Sequence, residues 1–169
     1  MKILNRSLSA LALAFIAVGC VDKTDPFSAA SYSDLVINEV AANDGNKYAD
    51  TWVEIANNST NEIDLSKLSL YLFDDYFDGR QIASFEGKKL QPQERLVVST
   101  ADESLNTGFS PAANFTLVLG MDATKNVVDK FELGDKGKLS LPGSYQRIPD
   151  MTGEWKNSPA ASMGQENRI

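Results

Sequence analysis

The chain contains no histidine. That absence excludes Ser-His-Asp and Cys-His nucleophilic catalysis and every histidine-ligated metal site. It contains one cysteine, Cys20, so no disulfide can close within the chain. No apolar run reaches the length needed to span a bilayer as a helix. No segment keeps helical periodicity over three turns, and no repeat or long low-complexity tract is present. Basic residues are the minority: 16 Lys and Arg stand against 23 Asp and Glu, for a net charge of −7. An acidic surface repels phosphate backbones, so nucleic acid is not an expected partner. Carboxylate-only chemistry of the glycosidase kind stays open. It needs a deep cleft, which a small β domain rarely offers, so the expectation is a protein that is not an enzyme.

What is present begins with a leader. Lys2 and Arg6 form a basic start, and Leu8 to Val18 is an apolar stretch of signal-peptide length. It ends Ala17-Val18-Gly19-Cys20, which resembles a bacterial lipobox. Sulfur chemistry explains the lone thiol: a diacylglyceryl group is attached through Cys20, and cleavage before it frees an amine for a further acyl chain. An ordinary signal followed by an incidental cysteine is the simpler alternative. Each buried methylene contributes about 0.8 kcal/mol, so two or three chains hold a protein on a membrane where one does not. The expected organisation is a signal peptide over residues 1–19, a lipidated Cys20 with a polar tether over 20–33, and one domain over 34–169. Without Lys2 and Arg6 the net charge of −7 becomes −9. The expected location is the bacterial cell envelope, on the outer membrane. The acidic residues after Cys20 faintly resemble surface-export signals, and the periplasmic and surface faces both stay open.

Beyond Ser33 the pattern is short strands punctuated by turns. Their approximate cores are Leu35–Ala41, Thr51–Asn57, Leu68–Phe73, Gln81–Phe85, Glu94–Ser99, Asn114–Gly120, Asn126–Leu133 and Tyr145–Ile148, and Ile63–Leu65 adds a short ninth. Alternation is clearest at Leu68, Leu70 and Leu72 and at Phe115, Leu117 and Leu119. Asp78-Gly79, Gln91-Pro92, Gly134-Asp135 and Pro142-Gly143 read as turns. Ala101–Ala113 is the longest piece without strand character and has room for a short helical turn. Eight or nine short strands indicate an all-β sandwich or barrel.

Several segments resemble the lamin tail domain family. They are Ile37-Asn38-Glu39-Val40, Trp52-Val53-Glu54-Ile55-Ala56-Asn57, Ile63-Asp64-Leu65-Ser66, Gln91-Pro92-Gln93-Glu94, Ser144 to Asp150, and Gly153-Glu154-Trp155 with Ser158-Pro159, Gly164 and Asn167. The resemblance runs from about Leu35 to Asn167 and implies an immunoglobulin-like β-sandwich. The chromatin association of the animal lamins does not suit an acidic envelope protein.

Two clusters carry candidate chemistry. Glu39 and Glu54 stand in otherwise apolar strands, and the family pattern has acidic residues there. With Asp44 and Asp50 from the intervening loop they could hold Ca²⁺, which takes about six to eight oxygen ligands. The simpler reading has Glu39 and Glu54 accepting from backbone amides or meeting Arg147. The second cluster is Asp74-Asp75-Tyr76-Phe77-Asp78-Gly79-Arg80. Exposed aromatics among carboxylates suit a sugar ring or a peptide. The alternative is a hairpin turning at Asp78-Gly79 with one aromatic packed down. Trp52 and Trp155 read as packing residues. Three functions follow as expectations: a lipid-anchored envelope module that binds protein or glycan through its loops, a substrate-binding accessory of an extracellular hydrolase or nuclease, and a calcium-stabilised structural or adhesion module.

Overall fold

Alternation in Leu68-Ser69-Leu70-Tyr71-Leu72-Phe73 fixes one face of a sheet. The three leucines are fully buried while Tyr71 and Phe73 turn outward. Burying each such leucine contributes about 1.5–3 kcal/mol. The computed structural model describes residues 29–42, 51–110, 113–134 and 143–168. Within them a 3-10 turn at Ala29–Tyr32 precedes eleven strands: β1 (Leu35–Ala42), β2 (Thr51–Asn57), β3 (Ile63–Asp64), β4 (Leu68–Phe73), β5 (Asp78–Ser84), β6 (Lys89–Leu90), β7 (Arg95–Ser99), β8 (Thr116–Met121), β9 (Val127–Glu132), β10 (Gly143–Ile148) and β11 (Glu154–Ser158). Cys20, Asp44 and Asp50 lie outside the described residues.

The strands form a five-stranded sheet in the order β11-β10-β1-β2-β7 and a four-stranded sheet in the order β5-β4-β8-β9. Every pairing is antiparallel. The inner faces of the two sheets share one apolar core, to which the small β3–β6 pair adds Ile63 and Leu90. The architecture is the all-β, immunoglobulin-like sandwich that the strand pattern and the resemblance imply. Tyr32 is also in this core, so folded structure reaches into the segment assigned to the tether. An aromatic row crosses the core. Phe131 of β9 lies 5.7 Å from Phe115, 5.7 Å from Tyr145 and 4.7 Å edge-on from Trp155.

Two strands exceed the sequence expectation. β6 is only two residues long, too short for any periodicity. β11 is a polar edge strand whose residues are mostly exposed. The segment from 101 to 110 forms turns without a helix. It is tied down by Leu105 N–H donating to Ser99 O at 3.0 Å and Asn106 N–H to Ile82 O at 2.8 Å.

The β4–β5 hairpin turns earlier than Asp78-Gly79. Asp74 Oδ1 accepts from the N–H groups of Tyr76 at 2.8 Å and Phe77 at 2.9 Å, and Asp74 N–H donates to Phe77 O at 2.8 Å. One carboxylate thus closes the turn at Asp74–Phe77. Asp78 and Gly79 belong to β5, where the register slips between Leu72 and Phe73. Gly79 has φ of 79°, and a Cβ there would lie 3.0 Å from the Phe73 ring. A bulge needs that left-handed residue, which is why the glycine is in the strand and not in the turn.

Candidate functional site

A bulge in β1 brings Glu39 beside Glu54 on one face of the five-stranded sheet. The β1–β2 register slips at Asn38, between the Ile37–Ile55 and Glu39–Glu54 pairs. One extra residue flips the alternation. Leu35 and Ile37 face the core before it, and Val40 and Ala42 after it. Glu39 is therefore turned to the opposite face of the five-stranded sheet, beside Glu54, which the plain alternation of β2 between Val53 and Ile55 already places there. Both are nonetheless completely buried, because the chain after β11 folds back over them.

That tail supplies the donors. Ser162 gives its N–H to Glu39 Oε1 at 3.0 Å and its hydroxyl to Glu39 Oε2 at 2.6 Å. Glu39 Oε1 also accepts from Ser144 Oγ at 2.5 Å and Gln146 Nε2 at 2.9 Å. Gly164 N–H donates to Glu54 Oε2 at 2.7 Å, and Asn38 Nδ2 to Glu54 Oε1 at 2.8 Å. Arg95 Nε lies 3.6 Å from Glu54 Oε1, and the same guanidinium pairs with Asp150. Asn167 closes the network, its Nδ2 donating to Asn38 O at 3.0 Å. Burial pushes the Glu54 carboxyl above its ordinary value of 4.5, and the Glu39 charge adds to that. The hydrogen bonds from Asn38 and Gly164 and the Arg95 charge oppose it.

Backbone amides thus meet both glutamates, but Arg147 does not. It forks onto Asp129 of β9, with Nη2 at 3.1 and 2.9 Å from the two carboxylate oxygens. The bulge is the reason. It leaves the Ile37 peptide groups outside the β1–β10 ladder, which starts at Glu39. Asp129 Oδ2 accepts from Ile37 N–H and Arg147 Nε donates to Ile37 O, each at 2.8 Å. The arginine also stacks 4.8 Å from the Trp155 ring. Of the calcium candidates, Glu39 and Glu54 are adjacent and engaged as above. Among the described residues no group of three or more acidic or thiol side chains is placed to hold a metal ion.

The loop cluster divides in two. Tyr76 projects into solvent, 67% exposed. Phe77 packs against the core, and the Arg80 guanidinium lies 4.6 Å from its ring centre. Asp74 is occupied in building the turn. Next to Asp75, at the sandwich end, a pocket of 410 Å³ is lined in part by Phe73, Asn114, Thr116 and Glu132.

Phe73 also borders a second pocket, on the outer face of the four-stranded sheet. This one is 270 Å³, mostly apolar and open to solvent. It is lined by Tyr71 and Phe73 of β4, Asp78 and Gly79 of β5, Val118 and Gly120 of β8, Lys125, and Val127 of β9. Tyr71 is fixed in place: its hydroxyl donates to Asp122 Oδ1 at 2.8 Å and accepts from Lys125 Nζ at 3.1 Å. Sequence reading passed over Tyr71, Gly120 and Lys125. The signal was the outward half of the β4 alternation, where Tyr71 and Phe73 replace the polar residues that a solvated face normally carries.

Residues 28–135 match the family model described as the Lamin Tail Domain. No curated protein matches the chain.

Proposed function

The chain belongs to the lamin tail domain family, and from that premise we propose that it is a non-enzymatic, lipid-anchored protein of a bacterial cell envelope whose β-sandwich binds a protein or a glycan. The observation that carries the binding role is the aromatic surface at the β4–β5 end. Phe73 and Tyr76 are 38% and 67% exposed there, beside two open pockets. Exposed aromatics beside a concave surface cost solvation and are the usual mark of a recognition site. The carboxylate pair supports a non-enzymatic reading, because Glu39 and Glu54 are sealed beneath the tail and spend their oxygens on holding it. The net charge of −7 speaks against nucleic acid as the partner.

The anchor rests on sequence: the basic start, the apolar stretch and Cys20. Membrane fractionation of cells expressing the native chain and Cys20→Ala tests it. The native protein is expected in the outer-membrane fraction and the variant in the soluble fraction. A Cys20→Ala protein that stays with the membrane would overturn the anchor. Protease added to intact cells then assigns the face: cleavage places the domain outside, and protection until the outer membrane is opened places it in the periplasm.

A further inference from the structure

We infer that the pocket on the outer face of the four-stranded sheet, between Tyr71, Phe73 and Val127, is a binding site for one ring of a neutral polysaccharide. The inference rests on the proposed binding role and names its place and ligand class. Four observations carry it.

The first is shape. Tyr71 and Phe73 are two residues apart on β4, so their side chains leave the same face about 6.6 Å apart along the strand. Across the sheet Tyr71 faces Gln81 and Val118, Phe73 faces Asp78 and Thr116, and Lys125 Nζ lies 4.9 Å from the Tyr71 ring centre; glycines stand at two of the remaining neighbouring positions. Gly79 of β5 lies against the Phe73 ring, and a Cβ at Gly120 of β8 would lie 3.6 Å from the Tyr71 ring. Two glycines thus keep open a bed of 270 Å³, room for one pyranose ring.

The second is chemistry. A pyranose has an apolar C–H face and a polar edge. Phe73, Val118 and Val127 offer the apolar surface, with Val127 and Phe73 53% and 38% exposed. Asp78 and Lys125 of the lining provide an acceptor and a donor for hydroxyl groups.

The third is charge. Asp78 and Lys125 cancel within the pocket, while the chain as a whole carries −7. Sulfated, phosphorylated or uronate chains are repelled over distance and meet no cationic cluster on arrival.

The fourth is the backbone. β4 lies between β5 and β8, and β8 between β4 and β9. β4 and β8 thus have a paired neighbour on both sides, the open edges being β5 and β9, so an extended peptide laid flat over β4 and β8 finds no ladder to join.

The test is isothermal titration of the detergent-solubilised full chain with hexasaccharides of β-glucan, mannan, xylan and α-glucan, and with oligogalacturonate as the anionic comparison. Binding of at least one neutral hexasaccharide and none of oligogalacturonate is expected. Phe73→Ala is expected to weaken that binding about tenfold, the loss of one aromatic stacking contact. Gly120→Leu fills the bed and is expected to abolish it, with a circular-dichroism melt confirming that the variant is folded. Met163→Ala, on the exposed tail and outside the pocket lining, is expected to leave it unchanged, and Tyr76→Ala asks whether the loop is the site instead.

The inference is overturned if no neutral hexasaccharide binds, or if binding survives both Phe73→Ala and Gly120→Leu. Loss on Tyr76→Ala alone moves the site to the loop and also overturns it, while leaving glycan binding as a function intact. Sedimentation supplies the remaining arm. A native dimer that becomes monomeric on Gly120→Leu makes a second copy the occupant and sinks the proposal. Failure of every titration with Cys20-dependent membrane attachment intact rejects this site alone; a soluble native chain rejects the envelope reading instead.

Discussion

At the scale of single residues, Glu54 carries the clearest consequence. Its folded carboxyl holds a proton more tightly than the unfolded chain does, because burial disfavours the charge. The folded state therefore binds more protons there, and stability from this group falls as pH rises. The contribution is fully present below the ordinary value of 4.5 and is lost as pH climbs through the raised folded value. Glu54→Gln, which never ionises, is expected to gain on the native protein as pH rises from the ordinary value of 4.5 toward neutrality. Melting temperatures of the two proteins across that range check it. A difference that stays flat or shrinks with pH would falsify the assignment. From sequence, Glu39 and Glu54 were visible as carboxylates out of place in apolar strands. Their partners Ser162 and Gly164 were not, because more than a hundred residues separate them and no periodicity links such positions.

At the scale of elements, the bulge at Asn38 and the tail act together. The bulge turns Glu39 outward beside Glu54, and the tail buries both again. Ending the chain after Ala161 removes the Ser162, Gly164 and Asn167 donors. Buried acceptors left short cost about 1–3 kcal/mol each, and entering water recovers part of that, so a loss of about 3 kcal/mol is expected. Urea unfolding of the full and shortened chains measures it. The shortened chain is also expected to lose the pH effect of Glu54, since water then reaches the carboxylate.

The β10–β11 connection makes a second demand. A Cβ on Gly153 would lie 1.9 Å from the carbonyl carbon of Ile148. The contact is with backbone, so no rotamer relieves it. Gly153→Ala is expected to cost at least about 2 kcal/mol, read as a drop in denaturation midpoint. The sequence marked Gly153 as part of a family-like ending. Only the closeness of two backbone segments says why alanine fails there.

At the scale of the whole molecule, the sandwich depends on its late strands. The family match covers residues 28–135, yet β10 pairs with β1 near the middle of the five-stranded sheet. Tyr145 of β10 is in the core, and Arg147 binds Asp129 across to the other sheet. A chain stopped at residue 135 is therefore expected to show no cooperative thermal transition, as followed by circular dichroism. A sharp melt from that fragment would mean that the first nine strands form a core on their own.

The sequence by itself determined the fold class and the core. Leucine alternation in β4 and β8, short strand lengths and turn residues are local signals, and they survive folding because burial rewards the same period that the pleat imposes. It also marked which polar residues were anomalous: Glu39, Glu54 and the Asp74–Arg80 cluster. Tertiary structure decided what those anomalies are for. It placed the hairpin turn on Asp74, because one side chain captured two amides before Asp78-Gly79 was reached. It gave Arg147 to Asp129 through a bulge that hydrophobic periodicity does not encode. It brought Tyr71, Phe73, Gly79 and Gly120 onto one open surface. Those pairings depend on strand register and chain return between distant segments, and register is set by the packing of the assembled sheets.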